Sequence, residues 1–273
     1  MAESSPRTDA PLERALALSV AALGARPAGL LTDFDGTLSP IVADPTLARL
    51  VDGASGALTG LVERLAVVAI VTGRSPTDAR RLVDVPGLLV AGNHGTEWLE
   101  PGADEPVPSP ELARLRPIFD AVLDRVPRID GVIIEHKGLS ASVHYRNAAD
   151  PEATRLALTR ALGTLPAEVE ARHGRMIIDL RPVGLGDKGS ATRTIIERHG
   201  LRGVVVLGDD VTDLDMFAAV AEARAGGRIR GAIIGVGGPD AEVHPSVADI
   251  ADVVLPSVAD AAVLLTRLAS STS

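Results

Sequence analysis

Residues 30–41 read Leu-Leu-Thr-Asp-Phe-Asp-Gly-Thr-Leu-Ser-Pro-Ile. An apolar run opens into two aspartates, Asp33 and Asp35, and breaks at Gly36. The pattern predicts a buried strand that delivers a carboxylate pair to a turn at its C-terminal end. In open α/β sheets that is the end where ligands bind. Two carboxylates one residue apart repel, so a site holding both needs a cation, a shared proton, or both. A strand end closed by an Asx-type turn with solvated acids would leave the same signature. The fragment alone keeps both readings open.

Outward from this stretch the same grammar repeats. A helix over 11–24 precedes it, and residues 53–65 carry apolar positions at helical spacing. Val67-Val68-Ala69-Ile70-Val71 predicts a second buried strand, which stops at Thr72-Gly73-Arg74. Ser75 and Pro76 then start a helix to about 83, and a third strand over 87–91 ends in Gly92-Asn93-His94-Gly95. Farther on, a helix over 187–199 leads to Val204-Val205-Val206-Leu207 and to Gly208-Asp209-Asp210. A helix over 212–225, strands near 231–236 and 252–255, and a helix over 257–269 complete the series. Strands alternating with helices at this rhythm predict an α/β fold with a doubly wound parallel (Rossmann-like) core sheet.

Between the two halves the pattern changes. Residues 101–110 hold four prolines and a glycine, which suits a linker. Helices over 111–126 and 151–163 then alternate with hairpin strands. One pair, 131–136 and 139–146, joins across a Lys-Gly-Leu turn, and the other, 167–172 and 174–180, across His173-Gly174. Hairpins mean antiparallel pairing, so this is an inserted α+β domain, with Pro182 to Gly186 as the return. The expected divisions are an N-terminal segment and helix over 1–26, core over 27–108, insert over 109–182, and core again over 183–273.

Composition narrows the function classes. Apolar residues make up 46% of the 273, but aromatics only 2%, so aliphatic side chains and Ala must build the core. Cysteine is absent, which excludes disulfides, thiolate catalysis and cysteine-held metals. A net charge of −9 argues against a nucleic-acid partner. No apolar run approaches the roughly 18 residues of a membrane span. Residues 12–23 read as a helix rather than a signal peptide, because the segment before them is not basic. A cytoplasmic monomer with a small-molecule partner is expected, without nucleic acid or membrane.

Of the 27 basic residues only Lys137 and Lys188 are lysines. Lys is a compact point charge and Arg a wide planar fork, so the two are not interchangeable in a tight site. Codon-driven scarcity explains the count equally well until the neighbours are considered. The insert carries 11 Lys/Arg against 10 Asp/Glu, which places nearly all the negative charge in the core.

Three core strand ends and one helix start carry complementary chemistry. Asp33 and Asp35 follow the first strand, Thr72 the second, and Asp209 with Asp210 a later one, while Lys188 opens the helix after the return linker. Adjacent strand ends of a doubly wound sheet converge, so these groups can share one crevice. Carboxylates from two strands fit an octahedral magnesium that also takes a phosphate oxygen. A hydroxyl and a lysine fit the other oxygens of a phosphoryl group, which needs positioning and charge stabilisation. Asp33 is assigned as a nucleophile that forms an aspartyl-phosphate, and Asp35 as the acid/base that serves the leaving oxygen and then water.

The four motifs D-F-D-G-T-L, V-T-G-R, D-K-G and G-D-D-V-T-D resemble, in order, those of the haloacid-dehalogenase-like phosphatases. More finely, G-N-H-G-T-E, I-E-H-K-G-L-S-A-S-V-H-Y-R, L-R-P and G-D-D-V-T-D-L-D-M-F are similar to trehalose-6-phosphate phosphatases, over roughly 28–270. The resemblance implies a Mg2+-dependent hydrolysis of trehalose 6-phosphate, with the insert as a mobile cap that closes on linker hinges. It implies metal binding by Asp33, Asp209 and the Asp35 backbone carbonyl, and phosphate binding by Thr72, Gly73 and Lys188. Glu135, Lys137, Arg146 and Asp179 of the cap would grip sugar hydroxyls and phosphate. Asp179 departs from the Glu more usual before the Arg-Pro pair. Asn93 and His94 are expected at the substrate, although Asn93 could instead hold a turn and His94 a supporting position. Asp210 and Asp213 match acids that support the metal, and Asp213 reads equally as a first-turn helix acid. Phosphatases for mannosyl- or glucosyl-glycerate esters, and phosphosugar mutases, share the core motifs. A phospho-accepting signalling domain shares the acids, Thr and Lys but gives no reason for the insert.

Overall fold

Leu30 and Leu31 are neighbours in one strand, point to opposite faces, and are both fully buried, which requires a sheet covered on both sides. The computed structural model describes residues 10–42, 44–137, 140–174, 176–183, 186–238 and 243–271. The side chains of Glu111, His136, Lys137 and Ser140 lie outside that description. The chain divides into two compact units, Met1–Val107 with Asp187–Ser273, and Pro108–Gly186.

In the first unit the elements are α1 (Ala10–Leu23), β1 (Ala28–Thr32), α2 (Ala54–Val62), β2 (Val67–Val71), α3 (Pro76–Val83), β3 (Leu89–Gly92) and β4 (Glu97–Leu99), and β5 (Val107–Pro108) falls on the boundary with the second. The second unit supplies α4 (Pro110–Leu123), β6 (Ile133–Lys137), β7 (Ser140–His144), α5 (Pro151–Leu162), β8 (Val169–Gly174) and β9 (Ile177–Pro182). The first unit then resumes with α6 (Lys188–Arg198), β10 (Gly203–Gly208), α7 (Leu214–Ala225), β11 (Arg230–Val236), α8 (Pro245–Ile250), β12 (Val253–Leu255) and α9 (Val258–Ser271).

The core sheet runs β12-β11-β10-β1-β2-β3-β4-β5, with parallel pairing from β12 through β3. Side chains alternate between two apolar layers. Leu30, Val68, Ile70, Val205 and Leu207 meet α1, α2 and α9, while Leu31, Ala69, Val204 and Val206 meet α6 and α7. Each fully buried Leu or Val contributes about 1.5–3 kcal/mol. The sheet grows outward from the adjacent strands β1 and β10, so the order reverses there and opens a crevice beyond their C-terminal ends. No helix among the described residues is long and apolar enough to cross a membrane.

Several details differ from the sequence reading. The parallel sheet carries an antiparallel edge strand, β4 on β3, and β5 extends the edge from within the stretch read as a linker. β1 stops at Thr32, one residue short of the first aspartate, although Asp33 N–H still donates to Leu207 O at 3.0 Å. α8 was not anticipated.

The second unit is an antiparallel sheet, β6-β7-β9-β8, on which α4 and α5 pack through Leu115, Phe119 and Leu158 against Val143, Ile178 and Leu180. Ser109 and Asp150 cap the two helices by accepting from Leu112 N–H and Ala153 N–H. The hairpin expected to turn at His173-Gly174 instead keeps both residues in β8, opposite Ile178 and Ile177. The reversal falls later, beside Met176, whose φ is +63°. Gly138 and Leu139 of the other expected turn lie outside the described residues.

Candidate active site

The turn after β1 is built around a close approach. Gly36 has φ +80°, and a Cβ there would lie 2.0 Å from Asp209 Oδ2. The missing side chain lets the β10 loop close on the β1 turn, where Thr37 Oγ1 donates to Asp209 Oδ1 at 2.7 Å. Gly36→Ala should therefore displace the Asp209 carboxylate and strain the backbone by about 1–2 kcal/mol. A loss of about 10–100-fold in divalent-cation affinity, read by titration calorimetry, is expected. A titration matching wild type would show that Asp209 is not held for a cation.

Lys188 sits at the first position of α6 with only 2% of its side chain exposed. Its Nζ lies 2.9 Å from Asp33 Oδ1 and 2.7 Å from Asp213 Oδ1. Burial works against its charge, but Asp33 and Asp213 outweigh burial and raise its pKa. Asp213 is fully buried, and its other oxygen accepts the backbone N–H groups of Asp209 at 2.9 Å and Asp210 at 3.1 Å. One carboxylate thus ties the lysine to the β10 loop. Both oxygens of Asp213 are engaged, so it supports the site more than a plain helix-start acid would.

Asp35 faces Arg74, which donates from Nε to Oδ2 at 2.6 Å and from Nη2 to Oδ1 at 2.7 Å. Buried Thr72 directly follows β2, and its Oγ1 accepts Arg74 N–H at 3.2 Å, leaving the hydroxyl proton to donate elsewhere. His94 lies against Gly73, with Cε1 2.8 Å from where a Cβ would be. Burial, with the charge of Lys188, lowers its pKa and disfavours the charged ring. Asn93 and His94 have φ +48° and +57°, two consecutive left-handed residues at the end of β3. Asn93 gives its side-chain amide to Glu97 Oε2 at 2.8 Å, which holds the turn.

These groups share one cavity of about 640 Å³, lined by Asp33, Asp35, Thr72, Gly73, Arg74, His94, Lys188, Asp209 and Asp210, with Ile41, Val42 and Pro45 as an apolar wall. Oxygens of Asp33, Asp209 and Asp213 all lie within 4.8 Å of one another. Burial pushes Asp33 up to about 8, against the pull of Lys188, and pushes Asp209 up to about 7, against the Thr37 hydroxyl bond. Such desolvated carboxylates are hard oxygen donors that fit a divalent metal.

The remaining sequence candidates lie in the second unit. Glu135, Ser142, Asp179 and Arg172 are successive partners across β6, β7, β9 and β8, on the sheet face away from the helices. Asp179 Oδ1 accepts from Ser142 Oγ at 2.6 Å, and Glu135 Oε2 lies 3.0 Å from His144 Nε2. Lys137 ends β6, and Arg146 is exposed just beyond β7.

A family model described as Trehalose-phosphatase matches residues 31–235, which include every one of these positions. The chain belongs to the trehalose-phosphatase family. Among its relatives, a trehalose-phosphate phosphatase of Mycobacterium avium is 39% identical over 218 residues, 77% of this chain and 54% of that protein. An uncharacterized glycosyl hydrolase of Mycobacterium tuberculosis is 41% identical over 208 residues, 72% of this chain but 15% of its own length. The chain thus spans about half, or much less, of the curated relatives it matches. The trehalose-6-phosphate phosphatase of Aspergillus fumigatus has a similar structure, at TM-score 0.64 and 26% identity, covering 98% of this chain and all of that one.

In this trehalose-phosphatase chain four residues bonded to the candidate side chains carry no role that the sequence alone assigns. Arg74 stands in V-T-G-R and Thr37 in D-G-T-L, where the motif alone does not reveal a partner. For Arg74 the usable signal was its place directly after Thr72-Gly73 at a strand end. Ser142 and His144 follow from strand parity, since both share the face of Glu135.

Proposed function

We propose that the chain is a magnesium-dependent phosphatase that hydrolyses trehalose 6-phosphate to trehalose and inorganic phosphate. The observation that carries this reading is the convergence of Asp33, Lys188, Thr72 and Asp209 in one cavity at the β1/β10 switch point. When bound, Mg2+ would be held by Asp33, Asp209 and the Asp35 carbonyl, and would neutralise phosphoryl oxygens.

Asp33 attacks phosphorus through a carboxylate oxygen, and the bond from phosphorus to the sugar oxygen breaks. That oxygen leaves with a proton from Asp35. Asp35, now a carboxylate, takes a proton from water as the water attacks the aspartyl-phosphate, which releases phosphate and restores Asp33. Lys188 holds Asp33 in place and offers its remaining N–H to the phosphoryl oxygens, to which the Thr72 hydroxyl and the Gly73 N–H also donate. Glu135, Lys137, Arg146 and Asp179 are assigned to the sugar. The Ser142 bond to Asp179 supports that assignment, because it orients a carboxylate one methylene shorter than Glu.

Phosphate release from a panel of sugar phosphates with magnesium tests the substrate. Trehalose 6-phosphate should have the highest kcat/KM, and a preference for mannosyl- or glucosyl-3-phosphoglycerate would overturn the choice. The cation has its own test. Folded Asp209 keeps its proton to about 7, whereas an unfolded Asp releases it near pH ~3.9. The folded state therefore binds more protons across that window, and the cation-free protein loses stability as pH rises through it. Magnesium binds the ionised carboxylates, so its stabilisation should be larger at pH 8 than at pH 5 in thermal melts. An equal or larger shift at pH 5 would contradict the assigned ligands.

A further inference from the structure

We propose that Arg74 is the positioning residue of the proton-transfer step, fixing the Asp35 carboxyl where it meets the ester oxygen that leaves phosphorus. The inference rests on reading Asp35 as the acid/base.

Nε and Nη2 of Arg74 bond one to each oxygen of Asp35, at 2.6 and 2.7 Å, so the carboxyl plane is fixed by two points. Asp35 needs that hold, since 38% of its side chain is exposed. Arg74 is itself anchored. Its Nη1 donates to Asp78 Oδ2 at 2.9 Å in the first turn of α3, and its guanidinium lies 5.4 Å from the ring centroid of fully buried Phe34. Asp78 is held in turn by Arg81 at 2.7 Å. The position of Asp35 is thus referenced to the start of α3 and to the core residue between the two aspartates. Only the planar fork of Arg can bond both Asp35 oxygens and Asp78 at once, whereas Lys offers one point.

In the step itself Asp33 forms the new bond to phosphorus, and the sugar oxygen departs with the electron pair of the broken bond. Asp35 gives that oxygen a proton and becomes a carboxylate, still spanned by the two N–H groups of Arg74. General-acid help of this kind is worth about 10²–10⁴-fold, and a misplacement of about 1 Å can cost about 10²-fold. An ester whose leaving group is stable as an anion needs no proton. The contribution of Arg74 should therefore depend on the leaving group.

The experiment compares kcat/KM, which contains only the steps through leaving-group departure, for trehalose 6-phosphate and for p-nitrophenyl phosphate. Arg74→Gln should lower it about 100-fold on the sugar ester and less than about five-fold on the phenyl ester. Arg74→Lys should stay at least about ten-fold impaired on the sugar ester. Equal losses on both esters, no loss on either, or full recovery by Lys would each overturn the proposal. A wild-type protein inert on both esters would instead overturn the phosphatase reading on which it rests.

Discussion

Asp33→Asn should abolish turnover, lowering kcat by about 10⁴-fold or more, while the fold and substrate binding persist. The amide keeps the shape of the side chain but cannot attack phosphorus. Structurally the exchange is mild, because Lys188 retains Asp213 at 2.7 Å and the Asp33 backbone N–H still reaches Leu207 O. It also removes a carboxylate that burial holds in an unfavourable state. Melting within a few degrees of wild type, with no phosphate released, is the expected pair of results. Activity within ten-fold of wild type would place the nucleophile elsewhere.

Lys188→Arg is the second large effect, with kcat reduced by about 10²–10³-fold although the charge is kept. Nζ occupies a closed space between two carboxylates at 2.9 and 2.7 Å, at the first position of a helix whose next residues are also buried. A guanidinium brings a wide planar head into a space shaped for a point charge. It must push either Asp33 away from phosphorus or Asp213 off the backbone N–H groups of Asp209 and Asp210. Steady-state kinetics with a melting curve would check this. Near-normal kcat would show that charge alone suffices there and that the scarcity of lysine carries no meaning.

The legible parts of the fold were those whose burial leaves a long pattern. β1, β2 and β10 read as unbroken apolar runs because both faces are covered, and α3 announced itself through Ser75 and Pro76. β4 and β5 have three and two residues, too few for any period to emerge. Gly174 looked like a turn residue but ends a strand, and the positive φ falls on Met176, where sequence gives no warning. Within the site, Asp33, Asp35, Thr72, Lys188 and Asp209 were visible because each stands at an element boundary with chemistry suited to phosphate. Arg74 was not, because Arg is the default cation of this chain and one more draws no notice. The part Asp213 plays depends on where both its oxygens go, which only the folded geometry reveals.

The most direct measurement is to quench the protein in acid within milliseconds of mixing with trehalose 6-phosphate and magnesium, then weigh the peptide that carries Asp33. The expected result is a mass gain of one phosphoryl group on Asp33 that appears during turnover and vanishes as substrate runs out. Sustained phosphate release with Asp33 never phosphorylated would contradict the proposed chemistry.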